Sequence, residues 1–183
     1  MPLDIGIGLL LGVLLSSLTN LNYGLCLGIG VFSSLLPDLD FIVPLVKNGH
    51  QPDTSHRDGL HYPLLVVPAA GFIGWLIMPE IGLILAFGCL LHFLHDSIGV
   101  GFGVKWLYPI RKNSYLFFYH AGSIYTKDMP RKKLHSWNDS ERKATLDAFG
   151  DPDWIKHIYF RLHPYGIIEY TVLIIGIVVA SIH

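Results

Sequence analysis

The chain has 183 residues, of which 51% are hydrophobic and 15% charged, whereas a soluble domain carries about 25% charged residues. That deficit, with a mean hydropathy of +0.46 and long apolar runs, argues against an ordinary soluble domain and for a membrane protein. Formal net charge is −1, so no overall charge marks the chain for nucleic acid, and nothing beyond local basic runs suggests that partner. The length accommodates one compact membrane-embedded unit, 1–183, rather than two sizeable domains.

Five apolar stretches follow in chain order, at roughly 3–19, 22–36, 62–79, 80–96 and 166–182. Each approaches the ~17–25 residues of a spanning helix, the second being short. The sequence opens Met1-Pro2-Leu3-Asp4 with no basic region, which argues against a cleaved signal peptide. Glycines at 6, 8, 12, 24, 28 and 30 give the first two stretches small faces for close helix approach. Thr19-Asn20-Leu21-Asn22 reads as the turn of a first hairpin, and Pro79-Glu80 as the turn of a second. Cys26 and Cys89 sit inside apolar runs and read as small buried hydrophobes. The expected fold is therefore all-α and polytopic: about five transmembrane helices, as two hairpins plus a C-terminal helix.

Between the fourth and fifth stretches lies the segment 97–165, which holds 11 of the 13 lysines and arginines. The positive-inside rule makes its side cytoplasmic, with the N-terminus inside and the C-terminus outside. Within it, Asn138-Asp139-Ser140 before "ERKATLDAF" and Gly150 predicts a short capped helix. Asp151-Pro152 predicts the start of another, which lies in the membrane interface or packs on neighbouring cytoplasmic residues. "GVGFGVKWLYPIRK" reads either as a substrate loop, with Lys105 or Arg111 meeting an anion, or as an interfacial anchor at Trp106. Arg131-Lys132-Lys133 reads as a solvated or lipid-facing patch.

Three clusters carry metal-ligand chemistry. "LLPDLDF" places Asp38 and Asp40 after the second stretch, "SHRDGLHYP" places His56, Arg57, Asp58 and His61 before the third, and "CLLHFLHDSIG" ends the fourth. The hairpin topology brings all three to one side of the membrane. His92 and Asp96 are four residues apart, so one helix face presents both; His95 points elsewhere and supports from outside. Carboxylates mixed with imidazoles suit Zn, with Mn or Fe as alternatives, and one or two ions. Two-metal sites activate water for attack on phosphoesters. The candidate ligands are Asp38, Asp40, His61, His92 and Asp96. The candidate catalytic groups are His56 as a further ligand or acid/base, Arg57 as a partner for phosphate, and Asp58 as a carboxylate outside the ligand set.

"LPDLDF", "HRDGLHYPLL", "GCLLHFLHDSIG" and "GVKWLYPI", in that order over roughly residues 30–110, resemble the YdjM / LexA-binding family of inner-membrane proteins. Asp38, Asp40, His56, Arg57, His61, Gly88, His92 and Asp96 fall on that family's polar positions. Asp58, Leu60 and Tyr62 stand where the family pattern has Gly, Thr and Ser. The resemblance implies a small polytopic inner-membrane protein and metal-dependent hydrolysis of a phosphoester. A site at the cytoplasmic lipid surface would favour a lipid or lipid-linked phosphate as substrate, with membrane lipid as partner. Two rival functions use the same residues differently: transport of a divalent cation, and a non-enzymatic regulator or scaffold acting through 97–165.

Overall fold

The computed structural model describes residues 2–40, 59–119, 129–151, 153–161 and 163–183. The chain forms two compact units, one of Met1–Leu39, Leu65–His92 and Ile167–His183, the other of Asp40–Leu64 and Phe93–Gly166.

In the first unit, helix α1 (Pro2–Leu18) is followed by α2 (Tyr23–Leu35), and Asn22 caps α2 by accepting from the Leu25 amide. A single 3₁₀ turn, Leu36–Asp38, with Pro37 inside it, follows, and Leu39 and Asp40 are helical again. α3 is Pro63–Trp75, α4 is Pro79–Asp96 and α7 is Pro164–Ile182. α3 begins at Pro63, where the missing N–H is one that no helical partner would use. The turn of the second hairpin is Leu76–Met78 rather than Pro79-Glu80, because Pro79 is already the first residue of α4. Two helices, α4 and α7, are long and apolar enough to cross a membrane, and α1, α2 and α3 are apolar but shorter.

The small faces work as expected in part. A Cβ on Gly12 would lie 2.6 Å from the Leu27 Cα, and one on Gly30 would collide with the Gly8 carbonyl and the Gly12 backbone. Gly6 faces α7 at Val172, Leu173 and Gly176, so α1 uses two small faces for two neighbours. Gly28 has open space and takes no part. Close backbone approach replaces the hydrophobic effect as the source of cohesion between helices in lipid. Cys26 and Cys89 are fully buried, as expected of small hydrophobes.

The second unit departs from all-α. Strands β1 (Ser114–Phe117) and β2 (Leu134–Trp137) pair antiparallel, with Leu116 opposite His135 and Ser114 opposite Trp137. The inward face supplies Leu116 and Trp137 to a small core with Tyr119 and Met129, onto which Phe102 and Phe149 pack. Helix α5 (Asp139–Phe149) starts at Asn138 with a reciprocal capping box to Glu141 and stops at Gly150, as the sequence predicts. The next helix, α6 (Trp154–Tyr159), starts later than predicted. Asp151 does not cap it at a Pro152 start; one carboxylate oxygen accepts from the Asp153 amide and the other pairs with His157. Ile158 on α6 is buried, and the backbone of that turn meets Gly166, which favours packing on neighbouring residues.

Candidate functional site

Each unit brings some of the expected ligands beside a histidine. In the first, Asp4 comes from the first turn of α1, Asp38 from the 3₁₀ turn after α2, and His92 from α4. His92 Nδ1 lies 3.2 Å from Asp4 Oδ1, and His92 Nε2 lies 3.5 Å from Asp38 Oδ1. His92 and Asp4 are 2% and 1% exposed. The Ser34 hydroxyl donates to the Asp4 carbonyl at 2.7 Å and holds the first turn of α1 against α2. α4 approaches α2 just above this level, where a Cβ on Gly88 would strike Ser33.

The second cluster repeats the arrangement. His61 Nδ1 hydrogen-bonds Asp40 Oδ2 at 2.8 Å, and its Nε2 lies 3.4 Å from Asp96 Oδ2. The Leu60 amide also donates to Asp40 Oδ2, at 2.9 Å. Gly59 packs closely beside Asp40, where a Cβ would lie 3.1 Å from the Asp40 Cβ. The edge of Phe93 packs on the His61 ring at 6.0 Å. Burial by itself would lower the His61 pKa, but its hydrogen bond to Asp40 and the carboxylate charges of Asp96 and Asp40 beside it outweigh burial and lift it to about 9. Tyr62 stacks on Tyr108 at 4.1 Å, so ring packing holds the chain just after His61. Leu60 serves Asp40 through its amide, which any residue supplies.

The structure thus gives each of Asp38, Asp40, His61, His92 and Asp96 a carboxylate–imidazole neighbour within its own unit. His95 is half-buried. His56, Arg57 and Asp58 lie outside the described residues. Asp4 was not anticipated: a lone acid in the first turn of a helix reads as a complement to the helix dipole, and only its 1% exposure beside His92 reveals more. The substrate-loop reading of Lys105 is corrected, because its buried ammonium pairs with Asp139 Oδ1 at 2.7 Å. Trp106 donates to Ser97 Oγ, and Ser97 in turn donates to the Phe93 carbonyl, which ties the loop to the end of α4. Arg111 and Arg131–Lys133 are exposed.

Each histidine and its Nε2-side carboxylate offer two donor atoms of the kinds that divalent transition metals bind. Two ligands with bonds of about 2.0–2.1 Å at a tetrahedral centre stand roughly 3.3 Å apart. The Nε2–carboxylate separations of 3.4 and 3.5 Å match that edge, and both exceed the usual hydrogen-bond range of about 2.7–3.2 Å. Imidazole with carboxylate is the ligand mixture of Zn, Mn and Fe centres.

No curated protein and no solved structure matches the chain. A family model does: the one described as YdjM inner membrane protein matches residues 4–149. The match begins at Asp4 and takes in both clusters. The chain therefore belongs to the YdjM inner membrane protein family.

Proposed function

We propose that this protein is a membrane-embedded, metal-dependent hydrolase acting on a phosphoester, such as a lipid or lipid-linked phosphate. The observation that carries the reading is the repeated grouping of two aspartates about one buried histidine: Asp4–His92–Asp38 and Asp40–His61–Asp96. Ionisable groups in an inner-membrane protein of low charge are costly and mark function by default. Asp38, Asp40, His61, His92 and Asp96 would hold one or two ions, zinc first.

A bound divalent ion lowers the pKa of a coordinated water towards neutrality and so supplies hydroxide. The protein's own residues do the rest. Asp40 and the Leu60 amide fix the His61 ring, and Phe93 closes one edge of it against solvent. His56 and Asp58, a few residues upstream of His61, are the acid/base candidates, and Arg57 offers a planar fork to phosphate oxygens. Membership of an inner-membrane family supports a substrate drawn from the bilayer. The concentration of basic residues in 97–165 supports a cytoplasmic N-terminus and an external C-terminus.

Metal analysis of the full chain purified in nanodiscs tests the reading, with hydrolysis of lipid phosphoesters assayed on the same samples. One or two tightly held transition-metal ions per chain are expected, with hydrolysis lost on chelation and restored by zinc. Both should fall in Asp96→Ala and His92→Ala. A folded protein that takes up no metal, and hydrolyses phosphoesters no faster with it, would sink the proposal.

A further inference from the structure

The short hairpin of the second unit carries a surface that the metal reading does not use. Ile98 bridges to Phe117, and Phe117 pairs with Leu134, so three segments place these residues in one row. Side chains alternate across a strand. Leu116 and His135 turn inward and are buried, which leaves Phe117 and Leu134 on the outward face. Ile98 and Leu134 are 44% and 49% exposed. Phe118 follows β1 and by alternation would turn to the core, but its positive φ of 51° breaks the pattern and its ring is 63% exposed. The Phe118 amide donates to the Lys133 carbonyl, and Arg131, Lys132 and Lys133, all exposed, lead straight into Leu134. The apolar row thus ends in a run of three cations.

This surface is fixed to the end of a membrane helix. The Phe117 amide donates to the Ser97 carbonyl at 2.7 Å, and the Gly99 amide donates back to the Phe117 carbonyl at 2.9 Å. Ser97 directly follows α4, one of the two helices long and apolar enough to cross a membrane. A solvated hairpin gains nothing from turning Ile98, Phe118 and Leu134 outward together, whereas the headgroup region of a bilayer accepts apolar side chains next to cations. The charge is one-sided. Residues 97–137 hold seven lysines and arginines and one acid, Asp128, and one of those cations, Lys105, is taken by Asp139. We infer that this face binds the anionic phospholipid headgroups of the inner membrane, with Ile98, Phe118 and Leu134 turned toward the acyl boundary and Arg131–Lys133 meeting the phosphates. The inference rests on membership of an inner-membrane family and not on the metal or hydrolase reading.

Environment-sensitive fluorescence tests this on the full chain, a single chain per nanodisc, in phosphatidylcholine alone and in phosphatidylcholine mixed with phosphatidylglycerol. The label is carried by Ser136→Cys on the outward face of β2, with Ala148→Cys on α5 as the reference; both positions are exposed, and the native Cys26 and Cys89 are buried. Phosphatidylglycerol should shift the label at 136 to the blue and bring it within reach of a quencher carried on lipid headgroups. Raised salt should reverse both effects, since exposed charges are screened beyond about 10 Å at 0.1 M. The label at 148 should not respond. Each cation at an anionic surface contributes about fivefold. Arg131→Gln, Lys132→Gln and Lys133→Gln together should therefore weaken the preference for phosphatidylglycerol by roughly 100-fold and remove the shift. Removing three exposed cations elsewhere, by Lys143→Gln, Lys156→Gln and Arg161→Gln, should leave the shift in place. A label at 136 that stays in water in phosphatidylglycerol discs overturns the inference and leaves the face to an acidic protein or a second copy of this chain. A shift that survives the Arg131–Lys133 triple variant, or that the distant triple variant abolishes equally, overturns it too.

Discussion

Metal loading at the His61 cluster should expel a proton, and the structure sets how many decades of affinity that costs. With its pKa raised to about 9 by Asp40 and Asp96, His61 in the metal-free protein is mostly protonated at pH 7, which opposes metal binding by roughly 100-fold, about 3 kcal/mol. Apparent affinity for zinc at this cluster should therefore rise by about tenfold per pH unit between pH 6 and 8 and level off above about 9. Calorimetry in buffers of different ionisation heat counts the protons: about one per ion bound at pH 7, and about half of one at pH 9. The same shift has the opposite sign for the stability of the metal-free fold. A raised folded-state pKa stabilises fully below the unfolded value of 6.5, and that contribution, on the order of 3 kcal/mol, is lost as pH climbs from there through about 9. Thermal unfolding of the metal-free protein should therefore come earlier at pH 9 than at pH 6.5. An affinity flat between pH 6 and 8, with no protons released, would refute this account of the cluster.

Three further outcomes follow from packing. Gly30→Ala places a methyl against the Gly8 and Gly12 backbone and should destabilise by about 1–3 kcal/mol, read as an earlier thermal transition in detergent; Gly28→Ala, facing open space, should not. Asn138→Ala removes the cap of α5 and should cost about 1 kcal/mol, seen as faster amide exchange over residues 139–142 while metal stoichiometry stays constant. Cys26 and Cys89 are both buried free thiols, so maleimide should label neither in the folded protein and both after denaturation in SDS.

Helix ends were legible wherever a side chain settles the question locally. Asn22 caps α2, Pro63 starts α3, and Asn138 with Glu141 and Gly150 bounds α5, each by chemistry within four residues. Asp151 was misleading because its acceptors were used by Asp153 N and His157, a choice between two local motifs that spacing does not decide. The hairpin was not legible. "SYLF" and "LHSW" are four residues each, too short for an alternation to stand out, and their pairing joins positions 17–23 residues apart. In the site, the carboxylates of "PDLD" and the His92 and Asp96 side chains of α4 stood out by spacing, but the expected His92–Asp96 pairing gives way to His92 beside Asp38 and Asp96 beside His61. Asp4 has no such neighbour, and its meaning comes from the fold that brings α1 beside α4's His92.

Charge balance gives the clusters a common logic. Two ionised carboxylates about a neutral imidazole carry a charge of −2, which one divalent cation cancels. Without the ion, a cluster can recover only one of those charges by protonating its histidine, and the raised pKa of His61 is that partial response. His61 and His92 are 1% and 2% exposed, and their Nε2 atoms lie 3.4 and 3.5 Å from Asp96 and Asp38, so the charges sit where solvent screens them little. Charge and distance are separate properties of the same six side chains, and the cation proposed above would answer to both.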